Sequence, residues 1–272
     1  PTITWTTINA QTGSVEIQTN SAVSVGGFGD IYLDASGTLT GLSNLTLLAN
    51  RAINFGAGVV LNGGSANVNL VAGWNDTGWA VSSGAGKDVS FGVNASLVTS
   101  GNVYMNAGNS VYSIDTTASV TANNLTIGNT NPSSLPGGLD LKGVNMVNTL
   151  AVRSDGGGAL TFKNGKALTV GAGQFSISGV GASGNAQPIN IATTAGNLTV
   201  ANAIVSDVLG GAAITLTAAG ALNINSAVTS TFNAAPDGPI KLVAGSGGIS
   251  STAGGVITTN TLEVISGGPV SL

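Results

Sequence analysis

The sequence predicts an all-β chain wound as a parallel β-helix, and three observations point to it. Apolar residues come in short apolar-polar-apolar packets, the period-2 pattern of half-buried strands, with Gly, Asn, Ser and Ala turn formers between them. The packets recur as a three-packet cycle of about 25 residues. Aromatic residues are 4% and charged residues 7% of the 272, which disfavours a sandwich with an aromatic core and charged outer faces.

The C-terminal half shows the cycle most clearly. Ile189-Asn190-Ile191, Leu198-Thr199-Val200 and Ala203-Ile204-Val205 make one cycle. Ile214-Thr215-Leu216, Leu222-Asn223-Ile224 and Val228 make the next, and Ile240-Lys241-Leu242 opens a third. Ile189 to Ile214 is 25 residues and Ile214 to Ile240 is 26. The N-terminal half has the same grammar in Ile31-Tyr32-Leu33, Leu45-Thr46-Leu47, Ile53-Asn54-Phe55, Val68-Asn69-Leu70 and Val103-Tyr104-Met105. Leu139-Asp140-Leu141, Leu160-Thr161-Phe162, Leu168-Thr169-Val170 and Phe175-Ser176-Ile177 continue it. No window holds apolar residues at i, i+3, i+4 and i+7, so the expectation is β from end to end. Three short strands per coil, at about 22–25 residues per coil, give roughly 11–12 coils. Stacked about 4.8 Å apart, they would form a rod about 50–60 Å long.

Residues 1–272 read as a single β-helix segment. Three stretches interrupt the rhythm: residues 73–88, 129–138 and 231–239, each polar or proline-bearing and each followed directly by renewed packets. They are expected to be loops projecting from coil corners. Neither end shows a clear polar cap, although solenoids need one, so a piece of a longer array is expected. The N-terminus lacks the basic-then-apolar pattern of a signal peptide, so a leader has been removed or the chain starts inside a longer protein.

Composition narrows the chemistry. Without cysteine or histidine there is no thiol nucleophile, no imidazole base and no thiolate or imidazole metal site. Seven Lys and Arg, none adjacent, and a net charge of −4 argue against nucleic acid. The longest apolar runs, such as Leu47-Leu48-Ala49, are far below the roughly 20 residues of a membrane helix, so no membrane insertion is expected.

Segments such as Ile214-Thr215-Leu216-Thr217-Ala218-Ala219-Gly220-Ala221-Leu222-Asn223-Ile224-Asn225 resemble the repeats of filamentous-haemagglutinin-type adhesins, exoproteins of the two-partner secretion family. Asn44-Leu45-Thr46-Leu47-Leu48-Ala49-Asn50 and Asn197-Leu198-Thr199-Val200-Ala201-Asn202 resemble them too. The family's secretion domain has an Asn-Pro-Asn-Gly-type motif. Here Asn131-Pro132 runs into Ser133, which places the chain in the passenger repeats. The resemblance implies a right-handed coil and a secreted, non-catalytic rod at the bacterial surface. It also implies export unfolded through an outer-membrane pore, which suits a chain without cysteine. Attachment, aggregation or biofilm formation would follow, through a host or biofilm glycan or a matrix protein. A monomeric rod that needs no cofactor is the expectation. A pure spacer and a polysaccharide-degrading β-helix enzyme are the alternatives.

The candidate contact residues are Trp74, Asn75, Asp76 and Trp79, in the longest irregular segment. Exposed indole stacks on the apolar face of a sugar, with Asn75 and Asp76 as hydrogen-bonding partners. Packing of both rings on the coil wall is the competing reading. Tyr104 and Tyr112 extend such a surface if their coils align. A glycosidase needs two carboxylates about 5–10 Å apart. Asp115 and Asp140, 25 residues apart, are the pair one coil would juxtapose. Gly26-Gly27-Phe28-Gly29-Asp30 resembles a single calcium nonapeptide with its aspartate one place early, and a plain corner turn is expected instead. The sequons at Asn44, Asn75, Asn94, Asn124 and Asn197 are expected from a chain so rich in Asn, Ser and Thr.

Overall fold

In the computed structural model, residues 2–19, 29–76, 78–128, 137–155, 158–185, 187–209, 212–232 and 235–272 are described. The chain is nearly all β, 2% helical, with parallel strands stacked as a β-solenoid of about 9 turns. The apolar packets become the strands. Their inward residues align in columns, because parallel in-register pairing sets like positions above one another. One column runs Ile53, Val89, Val111, Leu139, Leu160, Ile189, Ile214 and Ile240, each no more than 2% exposed. A second runs Leu168, Leu198, Leu222 and Ile249. Burying one such side chain is worth about 1.5–3 kcal/mol, and repetition multiplies it along the rod.

About 9 turns stand in place of the expected 11–12. The shortfall comes from residues pushed out of the wall. Ile31 and its partner Ile53 are 22 residues apart, but Ile53 and Val89 are 36 apart. At about 4.8 Å per coil the rod is roughly 43 Å long, shorter than expected.

Asparagine side chains finish the corners. Asn145 and Asn164, in register and fully buried, hydrogen-bond only to backbone. Asn164 accepts from Val147 N–H at 2.9 Å, and its amide donates to Val147, Lys166 and Ala167 carbonyls. Buried turns would otherwise leave these backbone groups unpaired. A second ladder climbs the outside: Asn44 donates to Ser14, Asn67 to Asn44, and Asn124 to Asn102.

The two ends differ, and one departs from the all-β expectation. The helix Trp5–Asn9 caps the N-terminal coil, with Thr4 accepting from Thr7 N–H at 3.2 Å. Ile8 is buried, Trp5 donates to Ala35 carbonyl at 2.9 Å, and Asn9 brackets Thr38 and Thr40. At the other end the last coil is bare. Leu262, 41% exposed, lies over Ile240, which is fully buried.

Of the three expected loops, residues 129–136 lie outside the described residues, which resume at Gly137. Near 231–239 the chain turns back on itself: Thr231 and Phe232 pair antiparallel with Pro236 and Ala235. Residues 73–88 hold a projecting hairpin. The correction lies elsewhere: Phe175-Ser176-Ile177 is not a wall strand but part of a second hairpin.

A candidate contact site built by two hairpins

Period-2 alternation fails in three stacked wall strands, Leu42–Ala49, Asn67–Ala72 and Val103–Ala107. Leu47 and Leu48, Leu70 and Val71, and Tyr104 beside Met105 are adjacent apolar pairs, so both faces of these strands are apolar. Leu47, Leu70 and Met105 point into the coil, in register. Leu48, Val71 and Tyr104 point out, yet all three are buried. Something must cover them.

Two hairpins do. Residues 73–76 and 78–82 leave the wall after the strand Asn67–Ala72, and Trp74 pairs antiparallel with Val81. Ser82 N–H donates to Gly73 carbonyl at 2.8 Å, pinching the neck, where Gly73 has φ 78°. Lys87 holds that neck through Ser82 Oγ. Residues 171–179 leave the wall between Val170 and Val180, which pair with Leu150 and Val152 below. Here Ala172 pairs antiparallel with Ser178, and Gly179 N–H donates to Gly171 carbonyl at 2.9 Å. From different coils, both fold over the same strip. Trp74, Val81 and Ile177 pack with Leu48, Val71, Tyr104 and Ala151 into a second hydrophobic core outside the coil.

The hairpin tips meet above Tyr104. The Trp79 ring stands edge-on to Tyr104 at 5.8 Å and lies 5.0 Å from Phe175, and Phe175 is 4.3 Å from Tyr104. Phe175 and Ser176, φ 52° and 60°, are the central residues of a two-residue turn closed by Ile177 N–H on Gln174 carbonyl. Asn and Gly normally fill such positions. A bulky residue there costs about 1–2 kcal/mol. The ring contacts with Trp79 and Tyr104 offset that cost.

The sequence candidates separate here. Trp74 is only 8% exposed and donates to Gly78 carbonyl at 3.0 Å, so it pins its hairpin from within. Trp79 is half-buried, while Asn75 and Asp76 are exposed on the same hairpin. Tyr104 lies under the site, fully buried, and burial pushes its phenol above the ordinary value of 10. Tyr112 pairs with Ser90 and Asp140 on another face and does not join it. Phe175 escaped sequence reading because Phe-Ser-Ile scans as one more strand packet. The adjacent apolar pairs at Leu48 and Val71 were the available clue that the outer wall is covered.

Comparison with protein-family models, curated proteins and solved structures gives no match.

The carboxylates are dispersed. Asp140 sits opposite Tyr112 and beside Lys142 at 3.6 Å. Asp115, three residues beyond Tyr112, accepts from Thr117 Oγ1 and N–H, which hold its carboxyl below the usual range. The two are not in register. Burial works to raise the Asp30 carboxyl, but Arg51, Ala52 N–H and Tyr32 together bring it below its ordinary value. Gly26, Gly27 and Phe28 of the calcium-like stretch lie outside the described residues. Both Asp30 oxygens are engaged by these donors, as a corner clasp requires. Among the described residues no three His, Cys, Asp or Glu cluster, and no helix is long and apolar enough to cross a membrane. Three sequon asparagines serve the coil: Asn44 and Asn124 in the outer ladder, and Asn197 accepting from Ala221 N–H at 2.8 Å.

Proposed function

We propose that this chain is a non-catalytic segment of a secreted bacterial surface adhesin, a rigid rod whose two-hairpin crest makes the contact. The observation that carries this reading is the convergence of hairpins from separate coils on one aromatic cluster, Trp79, Tyr104 and Phe175, with Asn75 and Asp76 exposed beside it. Aromatic rings offer large contact area at little entropic cost, and flanking polar groups set orientation. The ligand is a glycan or a matrix protein. The resemblance to filamentous-haemagglutinin-type repeats supports the same reading, with export through an outer-membrane pore and display at the cell surface.

A spacer role is the second reading. The unbroken inner core and the asparagine ladders favour a stiff rod whose job is length. One experiment separates the two. The purified chain is applied to immobilised glycans, biofilm polysaccharides and matrix proteins, alongside a Trp79→Ala variant with intact β circular dichroism. Saturable binding that falls at least tenfold in the variant is the expected result. No binding to any surface turns the assignment to a spacer.

A further inference from the structure

Two buried polar atoms beneath the crest, Tyr104 Oη and Asn106 Oδ1, make no hydrogen bond of ordinary geometry, although the Tyr104 phenol lies close enough to the Asn106 side chain to interact with it. Both side chains are 0% exposed, and both point outward from the strand Val103–Ala107, two residues apart, towards the hairpins. Asn106 spends its amide on Trp79 carbonyl at 3.2 Å, which leaves the oxygen as an acceptor. Phenylalanine at position 104 would fill this space without leaving a polar atom unpaired, so packing alone does not account for the tyrosine. Above them, Phe175 holds a backbone conformation that favours Asn or Gly, is 38% exposed, and still lays its ring on Tyr104. Two local rules are broken at one spot, the pattern of a site that exchanges partners.

We infer that the crest is a closed sugar site: a pyranose ring takes the place of the Phe175 ring, its hydroxyls reaching Tyr104 Oη and Asn106 Oδ1. This rests on the adhesin reading and names its ligand class. A sugar fits the chemistry point by point. Asn106 Oδ1 needs a donor, Tyr104 Oη takes either role, and neighbouring ring hydroxyls supply both. The Trp79 face suits the C–H face of the ring. The groups that would face the ligand, Tyr104, Asn106 and the Trp79 and Phe175 rings, carry no charge. Asp76, exposed on the same hairpin as Trp79, disfavours an anion, so a neutral ligand suits the site best. Phe175 is then a plug on a two-residue turn, and its release relieves the unfavourable backbone.

The test is a titration with methyl glycosides of glucose, galactose, mannose and N-acetylglucosamine, followed at the Trp79 indole N–H by NMR. At least one glycoside should shift that resonance saturably. Tyr104→Phe should weaken binding at least tenfold while its Tm stays level or rises. Phe175→Gly, which suits the turn, should tighten binding at least threefold. Equal affinity in Tyr104→Phe, or no gain in Phe175→Gly, overturns the site. So does the absence of any glycoside shift, and if the immobilised surfaces still bind the chain, the adhesin reading stands without it.

Discussion

The molecule has two hydrophobic cores of different origin. The inner one is made by repetition: each apolar residue meets its counterpart one coil above and below, as Ile189 meets Leu160 and Ile214. The outer one is made by exception, where Leu48, Val71 and Tyr104 are covered by chain from two separate coils. Polar groups in the inner wall are satisfied by backbone, as at Asn145 and Asn164. Of the three buried side-chain atoms without a partner among the described residues, two, on Tyr104 and Asn106, belong to the wall strand beneath the hairpins. Repetition optimises contacts that every coil shares, whereas an insertion meets a surface found once. Contacts found once are where a chemistry other than packing can be placed.

The largest expected difference is in the corner ladder. Asn164→Leu keeps the branching of the side chain but strands Val147 N–H and carbonyls now bonded to it. It should cost about 3 kcal/mol in urea unfolding, since each buried unpaired group costs about 1–3 kcal/mol. A cost below about 1 kcal/mol would mean the ladder is ornamental.

Trp74→Ala attacks the outer core instead. Its effect should be local, about 1–2 kcal/mol, because the cavity opens towards solvent and can partly collapse. Hydrogen exchange should quicken in residues 73–82 and 171–179 and stay slow in wall strands such as Val103–Ala107. Uniform quickening along the rod would show that the two cores melt as one.

The smallest effect is that of pH on the Asp30–Arg51 clasp. A carboxyl held below its ordinary value of 3.8 stabilises the fold fully above that value, and the contribution disappears as pH falls through the folded value. The Arg51 side is open to solvent, so the loss should be under about 1 kcal/mol. It would appear as an acid-limb difference between the chain and Asp30→Asn, vanishing at low pH. Equal acid limbs would remove the clasp from the stability account.

Much of the wall was legible because strand packets and coil pairing share one cause. Leu198-Thr199-Val200 and Leu222-Asn223-Ile224 pair residue for residue in the structure, as their spacing suggests. The coil count was not legible, because residues extruded into hairpins look the same in sequence as residues in a coil. Phe175-Ser176-Ile177 alternates like a strand, and only its backbone angles make it a turn. The helix Trp5–Asn9 is too short to show a helical period. At the crest, Trp79, Asn75 and Asp76 were visible as candidates, while Phe175, and Tyr104 as the floor, depended on which coils the hairpins reach.

By itself the sequence determined the parallel all-β solenoid, the inward Ile, Leu and Val, and the absence of thiol and imidazole chemistry. These follow from residue type and near-neighbour spacing, and pairing between successive coils only repeats that local pattern. The tertiary structure decided the number of turns, the helical cap and the meeting of Trp79 with Phe175. Those depend on where chain leaving the wall comes to rest, and residues almost a hundred positions apart meet there only after the coils between them have stacked.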